Sequence, residues 1–288
     1  MGGESCRLGG VLNLLAALAL TAVPSAQDPP NVVLFLVDDL GWMDLSCQGS
    51  DIYRTPNIDR IAAEGARFTD FYAAAAICSP TRAAVLTGRY PARVGITDWI
   101  DARLFAGKMP ADGKNPSGHT QPKGKALEVA HNPLWMEHSE VTLAEPLTRE
   151  GYATCYIRTW HLGFESHHPT AQGFDRNRGG CDYGQPPSYF DPYSRKGGAG
   201  IPTLEPREKG EYLTDREADE AVMFLRESAG GPFFLQLANY AVHTPLQGKP
   251  ELVEAWRAEK GEREYKAVFA AMVQSVDECV GRVLEELD

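Results

Sequence analysis

Two neighbouring acids, Asp38 and Asp39, stand at the end of a continuous apolar run, Val32 to Val37. Carboxylates beside a buried strand need partners, because burying an unpaired charge is costly. A hard divalent cation with oxygen ligands satisfies both at once. A hydrogen-bonded turn or helix cap does so without a metal, and for an isolated acid pair it is the simpler reading. Further on, Cys78-Ser79-Pro80-Thr81-Arg82 places a sulfur nucleophile ahead of a capped helix. The free N–H groups and positive dipole end of a helix favour anionic oxygens there; a buried structural thiol is the plainer alternative. His161 and His243 are imidazoles able to move protons near neutral pH, though a single histidine is more often structural.

Such residues need elements to hold them. Val32 to Val37 is apolar on both faces, as in a buried parallel strand. Thr55 caps a helix with Pro56 at its first position and Ile58, Ile61 and Ala62 on one face, closed by Gly65. A short apolar segment, Phe68 to Ala76, leads to Cys78; Ser79 as cap and Pro80 as first residue predict a helix to Thr87, stopped by Gly88. Thr142-Leu143 opens another helix, with Pro146 awkward in its first turns. Tyr152 to Ile157 reads as a strand, Asp215 to Glu227 as a helix, Pro232 to Ala238 as a strand, and a last helix begins near Glu262.

Residues 101–140 and 179–212 are Gly/Pro-rich excursions of a length that usually serves binding. Tyr183, Tyr189 and Tyr193 are expected to offer flat faces at a pocket mouth. His119, His131, His138, His167 and His168 read as surface or rim residues, with His167-His168 foremost as substrate contacts. Strands alternating with helices define the fold class: α/β, with a mainly parallel central sheet and helices on both faces. Ligands of such sheets bind beyond the carboxyl ends of the strands, where Asp38, Asp39, His161 and His243 fall.

Cys78-Ser79-Pro80-Thr81-Arg82, followed by Leu86-Thr87-Gly88-Arg89, resembles the signature of the formylglycine-dependent sulfatases, of the alkaline-phosphatase-like superfamily. The resemblance extends to residues 31–41 (NVVLFLVDDLG), 55–68 (TPNIDRIAAEGARF), 151–163 and 233–245, in the family's order. It implies that Cys78 is oxidised by a formylglycine-generating enzyme to an aldehyde, 3-oxoalanine. The hydrated aldehyde is a geminal diol: one hydroxyl attacks the sulfur of a sulfate ester, and the other lets the adduct expel sulfate and regenerate the aldehyde, so covalent catalysis becomes a cycle. By the same resemblance Asp38, Asp39 and residue 78 bind a divalent metal, calcium foremost and magnesium as the alternative. Such an ion helps ionise the attacking hydroxyl and neutralises sulfate oxygens. Arg82 steadies the carboxylate and aldehyde region, His161 accepts the diol proton, and His243 contacts the sulfate or protonates the leaving oxygen. The implied function is hydrolysis of a carbohydrate or aryl sulfate ester. A catalytically inert relative is the first alternative. A phosphonate or phosphate monoester hydrolase is the second, although phosphoesterases of that superfamily usually use Ser or Thr where Cys78 stands.

Two departures bear on activity. The family motif reads G-K-W-H-L-G, whereas this chain has Arg158-Thr159-Trp160-His161-Leu162-Gly163. The lysine that bridges sulfate and nucleophile is replaced by Thr159, which carries no charge. Arg158, its neighbour on an extended segment, points to the opposite face. Losing one charged transition-state contact costs about 3–4 kcal/mol, by analogy with an oxyanion-hole donor. Family members also carry a later strand ending in Asp-Asn or Asp-His, then a further lysine. Here one helix follows His243, ending at Glu285-Glu286-Leu287-Asp288, acids that oppose the helix dipole. The expectation is an α/β domain over residues 27–288 that stops before completion.

The 288 residues hold 39 acids against 28 basic residues, a net charge of −11. That balance excludes a general nucleic-acid binder, which carries a basic footprint, and disfavours a long polyanion lying across the surface. Residues 1–26 look like a removable signal peptide, with the apolar stretch Val11 to Val23 and cleavage after Ser25 or Ala26. The stretch is shorter than the ~20 residues a membrane span needs. Export to a periplasmic, extracellular or lysosomal/secretory compartment follows as the expectation. Cys47, Cys78, Cys155, Cys181 and Cys279 remain, an odd number in which at least one thiol stays free.

Overall fold

The computed structural model describes residues 28–101, 110–195, 198–260 and 264–288; the expected signal segment lies outside them. The strands are β1 (Val32–Phe35), β2 (His119–Thr120), β3 (Val129–Ala130), β4 (Ala153–Arg158), β5 (Arg176–Arg178) and β6 (Phe233–Ala238). The helices are α1 (Pro56–Glu64), α2 (Cys78–Thr87), α3 (Pro91–Val94), α4 (Ala144–Arg149), α5 (Leu213–Glu227), α6 (Pro250–Lys260) and α7 (Glu264–Leu287). Four strands form one parallel sheet in the order β1-β6-β4-β5, while β2 and β3 make a separate antiparallel pair.

Alternate residues of the sheet face opposite layers, as strand geometry requires. Tyr156, Phe234 and Ala238 pack with Ala83 and Leu86 of α2 and Ala144 of α4. Cys155, Ile157, Phe233, Leu235 and Leu237 pack with Ala218, Ala221 and Phe224 of α5 and Cys279 and Val283 of α7. Both faces are therefore covered, which is why β6 is buried at every position and its sequence apolar on both faces. The expected α/β fold with helices on both faces is the observed one.

Several elements differ from expectation. β1 ends at Phe35, because beyond Leu36 the backbone turns to place the acids; it lies at the sheet edge and is only partly buried. Ile61 of α1 is 41% exposed, whereas Ile58 packs partly buried against the core, so the apolar stripe of that helix is only partly seated. Ser79 is not the cap of α2: the helix begins at Cys78 with Ile77 as its N-cap residue. Pro146 sits in the first turn of α4, where its missing N–H is no loss. The polar edge strand β5 and helix α6, with Pro250 at its first position, were not legible as elements. Tyr189 and Tyr193 are core residues, 0% and 1% exposed, rather than a pocket mouth, and only Tyr183 is half-exposed. His167 and His168 are likewise buried, while His119 and His131 are exposed. The acids ending α7 have basic partners: Arg226 holds Glu286 at 2.7 Å and Arg60 holds Asp288 at 2.8 Å. All five described cysteines are free thiols. No helix of the described residues is long and apolar enough to cross a membrane.

Candidate active site

The predicted residues gather beyond the carboxyl ends of β1, β4 and β6. The main chain of Asp38 closes the gap between two strand ends. Its N–H donates to the Asn239 carbonyl at 3.4 Å, and its carbonyl accepts from the Val242 N–H at 2.7 Å. This brings the segment carrying His243 beside Asp38 and Asp39. Asp39 adopts a left-handed φ of 57°, a conformation that short polar side chains tolerate better than most. Its carboxylate, 61% exposed, lies 3.7 Å from His243 Nε2.

Cys78 is the first residue of α2 and half-buried. Burial pushes its thiol pKa up, opposed in part by the Ser79 N–H. As a thiol it is therefore not an activated nucleophile, since reactivity follows the thiolate. Arg82, one helical turn on and 1% exposed, reaches across to the other strand ends. Its Nη2 donates to Asp38 Oδ1 at 2.6 Å, and its Nη1 donates to the Thr159 carbonyl. The Tyr156 hydroxyl donates to the same carbonyl at 2.6 Å. One guanidinium thus ties α2 to the ends of β1 and β4. Burial raises the Asp38 carboxyl, with the Arg82 charge pulling the other way. Asp38 Oδ2 is buried without a partner among the described residues.

His161 follows β4 with φ 55° and is buried. Its Nε2 lies 2.7 Å from the Ile100 carbonyl. A carbonyl only accepts, so this contact assigns the proton to Nε2 and leaves Nδ1 as a bare lone pair, buried without a partner. Burial pushes the imidazole down to about 4, so it is neutral at neutral pH with an open Nδ1 lone pair, but a weaker base than the near-neutral imidazole expected from sequence. Gly184 backs the ring: a Cβ there would meet His161 Cε1 at 2.4 Å. Ser79, read from sequence as a cap, instead clamps the site. Its hydroxyl donates to the His161 carbonyl at 2.9 Å and accepts from the Ile100 N–H at 3.0 Å. His243 points Nδ1 at the Thr244 carbonyl, 3.0 Å away, which leaves Nε2 facing Asp39.

The orphaned Asp38 Oδ2 suits a cation, and Asp39 stands beside it. The donor set is nevertheless partial, since no group of three or more His, Cys, Asp or Glu converges on a metal position among the described residues. Thr159 is fully buried and its hydroxyl has no hydrogen-bond partner among the described residues; what residue 159 contributes is its carbonyl. The clamp made by Ser79 is not announced by any local pattern, because its partners, the His161 carbonyl and the Ile100 N–H, are distant in sequence. Tyr156 reaches a carbonyl only three residues on, but only the turn after β4 brings it within reach.

The model of the Sulfatase family matches residues 30–288. The chain is 32% identical to N-acetylgalactosamine-6-sulfatase of Mus musculus over 295 residues, covering 96% of this chain and 50% of that protein. It is 32% identical to arylsulfatase G of Mus musculus over 289 residues, covering 90% of this chain and 48% of that protein. Among solved structures it resembles Ps i-CgsB, crystallised in complex with k-i-k-neocarrahexaose, with TM-score 0.67 and 30% identity over 90% of this chain and 55% of that one. PsFucS1 sulfatase from Pseudoalteromonas sp. aligns with TM-score 0.59 and 26% identity over 90% of this chain and 52% of that one. The chain spans about half the length of the curated relatives it matches. With the match running from ahead of β1 to the end of α7, the chain belongs to the sulfatase family.

Proposed function

We propose that this chain carries the nucleophile-bearing part of a sulfuric ester hydrolase that releases inorganic sulfate from a sulfated sugar. The observation that carries the reading is the Arg82 bridge. One side chain of the helix that opens at Cys78 grips both Asp38 at the end of β1 and the Thr159 carbonyl beyond β4. A sugar substrate is preferred over a small aryl sulfate because relatives are N-acetylgalactosamine-6-sulfatases and a structural neighbour holds a carrahexaose.

Conversion of Cys78 to formylglycine would supply a hydrated aldehyde as nucleophile in place of a poorly ionised thiol. Asp38 and Asp39 would hold calcium, or magnesium, with residue 78 beside them, and such an ion would withdraw charge from sulfate oxygens. The chain's own groups take the remaining roles. The first N–H groups of α2 face anionic oxygens. Arg82 keeps Asp38 oriented and compensates its buried charge. His161 Nδ1 accepts the nucleophile's proton. His243 Nε2, held toward Asp39, meets the sulfate or returns a proton to the departing sugar oxygen. Entry to an exported compartment would expose Cys78 to its converting enzyme before folding is complete.

Thr159 supports a second reading, a protein that binds sulfated sugars without turning them over, because no cation stands where the family places its lysine. The test is co-expression with a formylglycine-generating enzyme, followed by the peptide mass at Cys78 and by sulfate release from sulfated oligosaccharides. Conversion with sulfate release is expected. Conversion with binding alone selects the second reading, and an unconverted thiol overturns the proposal.

A further inference from the structure

Arg158 is used by none of the steps above, yet it is a buried charge on a strained backbone. It closes β4 fully buried, and its Nε, Nη1 and Nη2 have no hydrogen-bond partner among the described residues. The facing charge is Glu217 of α5, also fully buried, with Oε1 3.6 Å from Arg158 Nε. Its φ of 76° is one that L side chains rarely adopt, at a position where the family motif has glycine. The fold also makes room for it: a Cβ on Gly179 would lie 2.3 Å from Arg158 Nη1. Gly179 has its own φ of 81°, so both shape and conformation favour glycine there. Buried ion pairs of this kind generally add little net stability. A strained backbone, a buried charge and a cut-back neighbour therefore need a reason beyond packing.

Glu217 supplies one. Its Oε2 accepts from Asn239 Nδ2 at 2.6 Å, which ties α5 to the residue that follows β6. Asn239 and Tyr240 open the turn that leads from β6 to His243, and the Asn239 carbonyl takes the Asp38 N–H. The other end of the pair sits in the turn from β4 to His161. We infer that Arg158 and Glu217 form a positioning pair. It locks the His161 turn of β4 to the His243 turn of β6 from beneath the sheet ends, in a register that a glycine at 158 would leave to the backbone alone. This rests on the reading of His161 and His243 as site residues, but it concerns their placement and not turnover.

Hydrogen exchange on the full chain tests it without an activity assay. Arg158→Gly removes strain as well as charge, so a merely tolerated arginine predicts unchanged or slower exchange. The pair predicts exchange about tenfold faster or more in both turns, residues 159–163 and 239–243, with the centres of β4 and β6 unchanged. Arg158→Gly/Glu217→Leu removes the stranded carboxylate, so it should recover the unfolding midpoint while both turns stay fast. Turns that recover together with the midpoint would reduce the pair to charge compensation and overturn the inference. So would loosening confined to residues 159–163. Should the glycine variant not fold, Arg158→Lys, which keeps the charge without the planar fork, is expected to show the same two-turn pattern at smaller amplitude. Unaltered exchange in that variant overturns the inference equally. Loss of the proposed function would show instead as an unconverted Cys78, with exchange in both turns intact.

Discussion

Single side chains at this site are held by partners that cannot be removed one at a time. Arg82→Met would strand the Asp38 carboxylate in a buried position, and breaking a buried pair from one side costs about 3–5 kcal/mol. Denaturant unfolding should show a loss of that order; a loss within error of zero would mean that solvent reaches Asp38. His161 is governed by burial, which takes it to about 4 from an ordinary 6.5. Between those values the unfolded chain binds more protons than the folded one, so stability is present above the upper value and declines as pH falls toward the lower. The shift corresponds to about 3 kcal/mol at most. His161→Gln should flatten that portion of a stability-versus-pH profile. His167, also pushed down to about 4 by burial and by His138, keeps its own share. At position 159, Thr159→Lys should raise sulfate release by about a hundredfold if the missing charge limits the rate. No gain from a folded, converted variant would assign the limit elsewhere.

At the scale of elements, the site depends on how α2 is seated. Ser79 joins the first turn of α2 to His161 and to Ile100 through two hydrogen bonds. Ser79→Ala leaves a buried carbonyl and a buried N–H unmatched, which costs about 1–3 kcal/mol each. The expected outcome is a lowered unfolding midpoint with faster amide exchange at Ile100; an unchanged Ile100 amide would show that the clamp is idle. The elements that sequence patterns revealed are those with strong local signals. β6 is apolar except for Gln236, α1 has Thr55 before it, Pro56 at its first position and Gly65 after it, and α2 stops at Gly88 in a left-handed conformation. β5, Arg176-Asn177-Arg178, carries no apolar signal because an edge strand needs little burial. α6 has a narrow stripe, Val253 and Trp256, that makes sense only against α7.

For the molecule as a whole, the sheet is well covered on its faces, and among the described residues β1 pairs only with β6. Between α1 and α2, Phe68, Phe71 and Tyr72 are 66%, 75% and 82% exposed, an apolar display larger than scattered surface residues need. The chain should bind an apolar fluorescent dye, and Phe68→Ser/Phe71→Ser should lower that signal without unfolding the protein. Unchanged dye binding would place the sticky surface elsewhere. Metal binding belongs to the same scale, because ligands must converge from several elements. Asp38 offers one orphaned oxygen and Asp39 an exposed carboxylate, so calorimetry of this chain should find calcium Kd no tighter than about 0.1–1 mM. A submicromolar Kd would mean that the partial donor set is sufficient.

The candidate site residues could be named from sequence alone because the motifs that carry them are local. Cys78 and Arg82 lie within one helical turn, Asp38 and Asp39 are adjacent, and each histidine sits in a short motif. The parallel α/β architecture was legible for a related reason, since burial on both faces writes continuous apolar strands. What each side chain does was decided by tertiary structure. Ser79 became a clamp instead of a cap, Tyr189 and Tyr193 became core instead of rim, and Arg158 acquired Glu217 as its partner. Those outcomes depend on contacts between segments far apart in the chain. Hydrogen bonds to main-chain carbonyls and charges that meet only after burial leave no periodicity for a sequence to display.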